Sequence, residues 1–318
     1  MAPTKKIATK VFISKLTKDT DNVLSSMDKN DIAKLIQEAN YAYYNTSNPL
    51  FSDNLYDVIR DRLKIIDPKH PVLKDVGAGV AATDSRKEKL PFYMGSLDKI
   101  KNDDANVLMK FKGKYPGSYV VSDKLDGNSA LLVIDGGVVK LYSRGDGKIG
   151  QNITSIIPHI KGIPSGLKTD KNVAVRGELI ISRDDFRAVA HKGANARNMV
   201  AGVINAKLPD MEVLSMVQFV GYELINPDDL PIEKQLKHLK CMGLKVVHHE
   251  VLSEKDLTEA RLSQILVGRR NESPFEVDGI VVFHNKPHTR SVGSNPDYAF
   301  AFKNVQTMER GEVTVTNV

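Results

Sequence analysis

The amino-acid sequence predicts an α+β protein in which a small helical domain precedes a larger domain built on antiparallel sheets. Apolar residues recur at helical spacing up to about residue 66, whereas strand-like runs dominate from about residue 91. An Asp-Gly-Gly turn at 135–137 joins two of these runs, which is a strong hairpin signal. Helices and strands segregated along the chain in this way are typical of the α+β class.

Two helices account for the helical domain. The segment 1–27 is predicted to be a peripheral extension. Asp28 can cap a first helix, which should stop near Asn45 because turn residues follow. Ser52 can cap a second helix, and the proline-containing turn at 67–71 should end it.

The larger domain is predicted from its strand-like runs, at 118–122, 128–134, 137–143, 173–181, 213–225, 277–284 and 298–303. Two helical patches interrupt them, near 184–206 and 232–242, and a segment without periodicity precedes them. The last residues start another strand, which predicts a further domain and poor nick sealing by this chain alone. The expected organisation is an extension (1–27), a helical domain (28–75), a linker (76–90), the main domain (91–311) and the first strand of a further domain (312–318).

Composition narrows the class of protein. The chain has 318 residues, a net charge of +6, a pI near 9.1 and one cysteine, Cys241. The positive charge suits a polyanion partner such as nucleic acid. One cysteine excludes an internal disulfide and a zinc site built from cysteines, and it fits a reducing intracellular compartment. No run of about 18 apolar residues occurs, so no membrane partner is expected.

Lys124 is the candidate nucleophile. It stands near the end of an apolar strand-like run, from which its side chain is expected to project into a cleft. A lysine attacks only when neutral, and an ordinary lysine has a pKa of about 10.4. Burial and neighbouring cations lower that pKa, and Arg144, Arg197 and Lys303 are candidate neighbours. A cationic pocket of this kind suits attack on phosphorus.

Three carboxylates belong to similar short motifs, namely Asp126, Glu178 and Asp278. They could hold a metal, orient the lysine or bind a ribose hydroxyl. A glycine adjoins each one and would let a ligand approach the backbone closely: Gly127, Gly177 and Gly279. Each motif alone is more often a turn than part of an active site, but their joint order along the chain is far less expected by chance.

That ordered set is KLDG (124–127), SRGDG (143–147), RGE (176–178), VDGIVV (277–282) and AFAFK (299–303). It resembles the covalent nucleotidyltransferases, which include DNA ligases, RNA ligases and mRNA capping enzymes. The resemblance is closest to NAD-dependent DNA ligases, because four more stretches match: YAYYNTSNPLFSDNLYDVI (41–59), MGSLD (94–98), SRGDGKIGQNIT (143–154) and NARNMVAG (195–202). It implies the ligase adenylation fold, which is similar to ATP-grasp folds.

The resemblance implies a role for each matching residue. Lys124 would attack the α-phosphorus of NAD and become lysyl-AMP, while nicotinamide mononucleotide leaves. Tyr222 would stack on adenine and Glu178 would bind ribose. Asp126 and Asp278 would be supporting carboxylates. The AMP portion would also contact Ser96, Leu97, Arg144, Arg197 and Lys303, and the nicotinamide mononucleotide would contact Tyr41, Asp53, Tyr56 and Asp57. For the tyrosines, plain helix packing remains the alternative.

The resemblance also implies cofactors and partners. NAD and Mg²⁺ would be the cofactors, and the full-length protein would act as a monomer on nicked double-stranded DNA. Its place would be an intracellular site of DNA replication or repair, in cytoplasm or nucleus. Two alternatives stay open: an ATP-dependent polynucleotide ligase or capping-type nucleotidyltransferase, and a weakly active nucleotide- or DNA-binding module.

Four positions depart from the family pattern. Ser122 stands where the family usually has glutamate, and Ala42 where it has histidine. Phe283 replaces the lysine of the fourth motif, and Asn205 replaces an arginine. These differences indicate a divergent member, such as a viral one.

Overall fold

The computed structural model of the chain describes residues 8–45, 50–73, 85–101, 105–167, 169, 172–227, 229–290 and 293–303. The helices are α1 (Lys10–Lys18), α2 (Thr20–Ser25), α3 (Lys29–Asn45), α4 (Asp53–Ile66), α5 (Ala105–Lys114), α6 (Arg183–Val189), α7 (Ala196–Asn205), α8 (Met211–Met216), α9 (Ile232–Cys241) and α10 (Glu259–Glu272). The strands are β1 (Lys87–Lys89), β2 (Asp98–Lys101), β3 (Tyr119–Leu125), β4 (Asn128–Asp135), β5 (Val138–Ser143), β6 (Ile149–Gln151), β7 (Val173–Ile180), β8 (Gln218–Asn226), β9 (His249–Leu252), β10 (Val277–His284) and β11 (Ala299–Lys303).

The helical domain contains more than the two predicted helices. Asp28 caps α3 by accepting hydrogen bonds from the next turn, and Ser52 caps α4, so both predicted starts are confirmed. The expectation that residues 1–27 are peripheral is wrong for the described part. Helices α1 and α2 bury Leu16, Val23 and Leu24 in one core with α3 and α4. Burial of these apolar side chains fixes the segment to the domain.

The larger domain is built on two main sheets. One has five strands in the order β2-β11-β10-β3-β9, and the other has four in the order β5-β4-β7-β8. All neighbours are antiparallel except β2 and β11, which are parallel, so the predicted α+β class is confirmed. The predicted strand over 213–225 is only partly right. Its first residues belong to α8, because the Asp210 carboxylate caps a helix there.

Each sheet is covered on its outer face. The five-stranded sheet packs against α5 and α10 through a cluster that includes Phe111, Leu262 and Phe300. The four-stranded sheet packs against α7, α8 and α9 through a second cluster that includes Val200 and Leu236. The opposite faces of both sheets contribute side chains to one cavity, which lies between them.

Part of the predicted linker forms regular structure. Residues 87–89 form β1, which pairs with β6 in a two-stranded ribbon. The Arg86 guanidinium donates hydrogen bonds to the carbonyls of Ile204 and Asn205 at the end of α7. Residues 74–84 and the predicted strand 312–318 lie outside the described residues. Within the described ranges, no helix combines the length and the apolar character needed to cross a bilayer.

Candidate active site

A cavity of about 260 Å³ lies between the inner faces of the two sheets and the ends of α3 and α4. Its walls contain eleven of the sequence-predicted site residues, and the cavity therefore brings together residues that are far apart in the chain. They are Tyr56, Asp57, Ser96, Leu97, Lys124, Arg144, Glu178, Arg197, Tyr222, Asp278 and Lys303.

Lys124 is the last but one residue of β3, and its side chain projects into this cavity, as its sequence context predicted. Its Nζ lies 2.5 Å from Oδ2 of Asp278, and Nζ of Lys303 lies 2.6 Å from Oδ1 of the same carboxylate. The three side chains are between 23% and 29% exposed. One carboxylate therefore bridges two lysines at the edge of solvent.

Asp278 reaches both lysines because of a β-bulge. On β10, Val277 lies opposite Leu125 of β3 while Gly279 lies opposite Lys124, so Asp278 is an extra residue between them. A bulge re-aims the side chains around it. Here it turns the carboxylate toward the amine of Lys124.

The pKa of Lys124 is raised, whereas the sequence led us to expect a lowered one. Burial acts to lower it, but the charge and hydrogen bond of Asp278 outweigh burial, so the pKa is raised above that of an ordinary lysine. The pKa of Lys303 is lowered, first by burial and then by the charge of Lys124. The pKa of Asp278 falls despite burial because two ammonium groups face it. The expected cations are present, but the carboxylate has the larger effect on Lys124.

Arg197 and Arg144 bring two more cations to the cavity wall. Arg197, on the first turn of α7, donates to Oδ1 of Asp126 at 2.8 Å. The Asn128 side chain holds the start of this helix in place by donating to the carbonyl of Arg197 at 2.9 Å. Arg144 directly follows β5, where its backbone N–H donates to the carbonyl of Ser129. Both guanidinium groups are thus placed by the backbone of the four-stranded sheet and its covering helix.

Glu178 lies on β7 with its side chain toward the cavity, and it is 6% exposed. The Ser129 hydroxyl, on the neighbouring strand, donates to its carboxylate at 3.1 Å. Burial raises the pKa of Glu178 to about 7, against the lowering effect of Arg197 and Lys124. This carboxyl can therefore change its protonation state near neutral pH.

Tyr222 also occupies a β-bulge. On β8, Gly221 lies opposite Gly177 of β7 and Glu223 lies opposite Arg176, so Tyr222 is the extra residue. Tyr222 and Glu223 both line the cavity although they are neighbours in the chain. The guanidinium carbon of Arg176 lies 5.8 Å from the centroid of the Tyr222 ring, within the range of a cation–π contact.

The helical domain contributes the remaining wall. Tyr56 and Asp57, on α4, line the cavity, and Asp57 pairs with Lys99 of β2 at 3.2 Å. Tyr41 lies on α3 outside the cavity wall, with 49% of its surface exposed. Asp53 is the first residue of α4, and its side chain lies outside the described part of the structure.

The loop before β2 closes the cavity beside Tyr222. Ser96 and Leu97 lie there, as predicted, and the Ser96 N–H donates to Oδ1 of Asn295 at 3.1 Å. The carbonyl of Gly95 accepts a hydrogen bond from Arg176 at 2.7 Å. The loop is therefore fixed from both sides.

The four departures from the family pattern fall into two pairs. Ser122 and Phe283 line the cavity. Ala42 is buried in α3, and the Asn205 side chain donates to the Ala201 carbonyl within α7. Only the first pair belongs to the cavity wall that the structure describes.

The interpretation of the three glycines is wrong. A Cβ on Gly177 would meet the Phe219 ring at 2.4 Å, on the core side of the sheet. On Gly127 it would meet the Leu179 carbonyl at 2.5 Å, and on Gly279 the Phe302 carbonyl at 2.6 Å. The glycines allow strands and core side chains to pack closely rather than admitting a ligand.

Sequence analysis missed Arg176, Glu223 and Lys99 as cavity residues. Arg176 stands two positions before Glu178 on β7, and the period of two along a strand would have placed both on one face. Glu223 carried no such signal, because the bulge at Tyr222 breaks the alternation.

Two largely antiparallel sheets around a cavity with a lysine on its wall agree with the nucleotidyltransferase-type domain that the motifs predicted. A sequence profile described as the NAD-dependent DNA ligase adenylation domain matches residues 93–306. A DNA ligase of Acanthamoeba polyphaga mimivirus is 42% identical over 285 residues, which cover 88% of this chain and 44% of that protein. The chain therefore belongs to the NAD-dependent DNA ligase adenylation domain family, as its motifs predicted.

Two further proteins are similar to this chain. A putative DNA ligase, 205R, of Invertebrate iridescent virus 6 is 30% identical over 293 residues, which cover 87% of this chain and 44% of that protein. An archaeal ATP-dependent RNA ligase structure is 12% identical, covering 86% of this chain and 64% of that chain, with a TM-score of 0.46. The chain spans less than half the length of the curated relatives that it matches.

Proposed function

We propose that this chain is the adenylation portion of an NAD-dependent DNA ligase and that Lys124 carries AMP. One observation supports this most strongly: the Lys124 amine projects into a nucleotide-sized cavity whose walls hold five other cations, one of them the buried Arg176, and the aromatic ring of Tyr222. Arg144, Arg197, Lys303 and Lys99 can compensate the negative charge of a diphosphate. The family membership adds the reaction class.

The proposed step exchanges one bond to phosphorus for another. The neutral Nζ of Lys124 attacks the α-phosphorus of NAD, and the new P–N bond forms as the bond to the bridging oxygen breaks. Nicotinamide mononucleotide leaves with that oxygen. The ammonium proton of Lys124 must be lost first, and it goes to solvent, because the low pKa of Asp278 prevents that carboxylate from keeping it.

The other cavity residues hold the AMP portion in this proposal. Tyr222 stacks on adenine, and the Glu178 carboxyl binds the ribose hydroxyls. Ser96 and Leu97 form the wall beside the nucleoside. The phosphate lies among Arg144, Arg197 and Lys303, close to the two supporting carboxylates Asp126 and Asp278.

NAD rather than ATP is the proposed donor because of the surface that α4 presents to the cavity. A leaving nucleotide needs a binding surface opposite the attacking lysine. Tyr56 can stack on a pyridinium ring, and Asp57 can accept hydrogen bonds from ribose or carboxamide. Tyr41 and Asp53 remain predicted contacts. An aromatic ring and a carboxylate of this kind suit a nucleoside better than a pyrophosphate.

A double change tests the donor. Tyr56→Ala together with Asp57→Ala should abolish adduct formation from NAD, because the leaving group loses its binding surface. The affinity for AMP, measured by calorimetry, should persist, since these residues do not contact AMP in the proposal. Equal adduct formation from ATP and NAD by the unaltered chain would exclude the NAD assignment.

Mg²⁺ does not fit a resident site in the described residues. No group of three or more histidine, cysteine or carboxylate ligands occurs among them. The cavity carboxylates Asp278 and Glu223 are paired with cations, and so is Asp126, which lies outside the cavity wall. Mg²⁺ thus remains proposed for the reaction as a whole, and the lysine step described above assigns it no role.

The partner proposed for the full-length protein is nicked double-stranded DNA, whose 5′-phosphate would receive AMP before the nick is closed. The net charge of +6 agrees with a polyanion partner. We propose that the protein acts as a monomer at an intracellular site of DNA replication or repair. Calorimetry with nicked and intact duplexes, at several salt concentrations, tests this partner.

Intact mass after incubation with NAD and Mg²⁺ tests the proposed function directly. The unaltered chain should gain the mass of one AMP, and Lys124→Ala should gain none while remaining folded. Lys237→Ala, which removes an exposed lysine of α9, is the matched control and should gain AMP normally. Adduct on Lys124→Ala, or none on the unaltered chain, would contradict the proposal.

A weakly active nucleotide-binding module is the second candidate. It is favoured by Ser122 and Phe283, which put uncharged side chains on the cavity wall where the resemblance predicts glutamate and lysine. AMP binding without any covalent adduct, over long incubation with NAD, is the outcome that would select this alternative.

A further inference from the structure

The cavity end beside Tyr222 contains a buried arginine and a buried glutamate. Arg176 and Glu223 are 7% and 5% exposed, and both line the cavity. They lie directly opposite each other on β7 and β8, on the face that carries Glu178. The bulge at Tyr222 is what brings the ring and the Glu223 carboxylate to the same side of the sheet.

Arg176 has most of its hydrogen-bonding groups satisfied by protein. One terminal nitrogen donates to Oε2 of Glu223 at 3.2 Å, and the other donates to the Gly95 carbonyl at 2.7 Å. Its Nε–H is buried and has no hydrogen-bond partner in the described structure. A buried donor without a partner calls for an explanation, and a ligand acceptor is one.

Glu223 retains acceptor capacity. Arg176 bonds one of its oxygens and Arg290 the other. A carboxylate offers about four acceptor positions, so two such contacts leave room for a ligand N–H. The neighbouring arginines also keep this carboxylate fixed in direction.

The facing sheet offers no charge at this end. Val281 lies opposite Ser122 on neighbouring strands, and Phe283 follows two residues later on the same face. All three line the cavity, and Tyr222 packs against the apolar cluster that includes Val281 and Phe283. In the described wall near Tyr222, the charged groups that can distinguish one base from another therefore lie on the four-stranded sheet.

We propose that Arg176 and Glu223 form the donor–acceptor pair that reads the edge of the base stacked on Tyr222. This inference rests on the proposed function, which supplies adenine as the base. Adenine presents an amino donor beside a ring-nitrogen acceptor, which Glu223 and the Nε–H of Arg176 complement. A 6-oxo purine such as hypoxanthine replaces this donor by an acceptor and this acceptor by a donor, so it fits the same fixed pair less well.

The test compares AMP with IMP, which differ only at this edge of the base. Calorimetry should show that the unaltered chain prefers AMP. Glu223→Gln and Arg176→Lys, which keep much of the local packing, should each lower the AMP-to-IMP preference by about tenfold or more. Glu250→Gln, at the partly exposed pair with Arg261, is the control and should leave the preference unchanged.

The same comparison separates this inference from the function. A changed preference distinguishes base reading from a purely structural role, which would weaken both nucleotides alike. Suppose that the unaltered chain forms an AMP adduct on Lys124 but that Glu223→Gln and Arg176→Lys both keep the original preference for AMP. The assignment of Arg176 and Glu223 as the base-reading pair is then wrong, and the proposed function stands. If the unaltered chain binds neither AMP nor IMP and forms no adduct, both proposals fall.

Discussion

The two sheets that enclose the cavity hold their charged residues in different environments. On the five-stranded sheet, Lys124, Asp278 and Lys303 are about a quarter exposed. On the four-stranded sheet, Arg176 and Glu223 are more than nine-tenths buried. The cluster around Lys124 therefore lies at the edge of water, whereas the pair of Arg176 and Glu223 is enclosed in the core.

This difference corresponds to two chemical tasks. A nucleophile must exchange its ion-pair partner for a substrate and lose a proton, which is easier where water can replace lost contacts. Recognition of a fixed shape benefits from donors and acceptors that cannot move, and buried pairs in a low dielectric are held strongly. The buried wall is therefore suited to binding, and the exposed wall is suited to reaction.

The largest expected effect concerns the buried wall. Glu223→Ala should lower the free energy of unfolding by about 3–5 kcal/mol, because it leaves two arginines near the core without their carboxylate. Urea denaturation followed by circular dichroism measures this loss. Asp297→Ala, at an exposed pair with Lys114, should cost less than about 1 kcal/mol. Equal losses at both sites would remove the contrast between buried and exposed pairs.

The second effect concerns Glu178, whose pKa of about 7 lies above that of the unfolded chain. The folded protein therefore holds a proton that the unfolded chain has released, and stability falls as pH rises from about 4.5 to 7. Ionised Glu178 should cost about 3 kcal/mol above that range. Glu178→Gln should remove this decline in urea midpoints between pH 5 and 8. A decline that persists unchanged in the variant would place the titrating group elsewhere.

The third effect tests the exposed wall. Asp278→Asn removes the charge that raises the pKa of Lys124 and leaves the cation of Lys303 beside it. Lys124 should then lose its proton more easily, and the pH midpoint of adduct formation should fall. Single-turnover rates at limiting NAD report this midpoint for the free enzyme. With Asp297→Asn as control, a midpoint that stays or rises would contradict the assigned ion pair.

The smallest effect concerns the contact between the helical domain and the five-stranded sheet. Lys99 and Asp57 form an ion pair in which both side chains are more than two-fifths exposed. Lys99→Ala should change the free energy of unfolding by less than about 1 kcal/mol. Thermal or urea unfolding provides the measurement. A loss of several kcal/mol would mean that this exposed pair behaves like the buried ones.

Much of the fold and the lysine site could be predicted from sequence. Caps such as Ser52, the glycine turn after β4 and the apolar strands have local causes, and local patterns reveal them. The position of Lys124 in a cleft followed from its place at a strand end. The helices in residues 10–25 were missed because their apolar face is meaningful only once α3 and α4 are present to cover it.

The remaining features depend on contacts between distant residues. The raised pKa of Lys124 comes from Asp278, which is 154 positions away in the chain. The sequence identified both residues but not which charge would dominate. Likewise, the register shifts at Tyr222 and Asp278 arise from pairing between strands and leave no local signature.

Those two bulges have a consequence for insertions and deletions. A separate shift between Ala174 and Val175 would remain, but without Tyr222, Gly221 would still face Gly177 and Glu223 would still face Arg176, so the irregularity at this point would disappear. The same is true of β10 without Asp278. The pairing of the flanking residues does not involve Tyr222 or Asp278, whereas the proposed chemistry does. In this domain, two of the proposed functional residues are in effect single-residue insertions into the ladders of their sheets, and we expect their deletion to affect activity more than strand pairing.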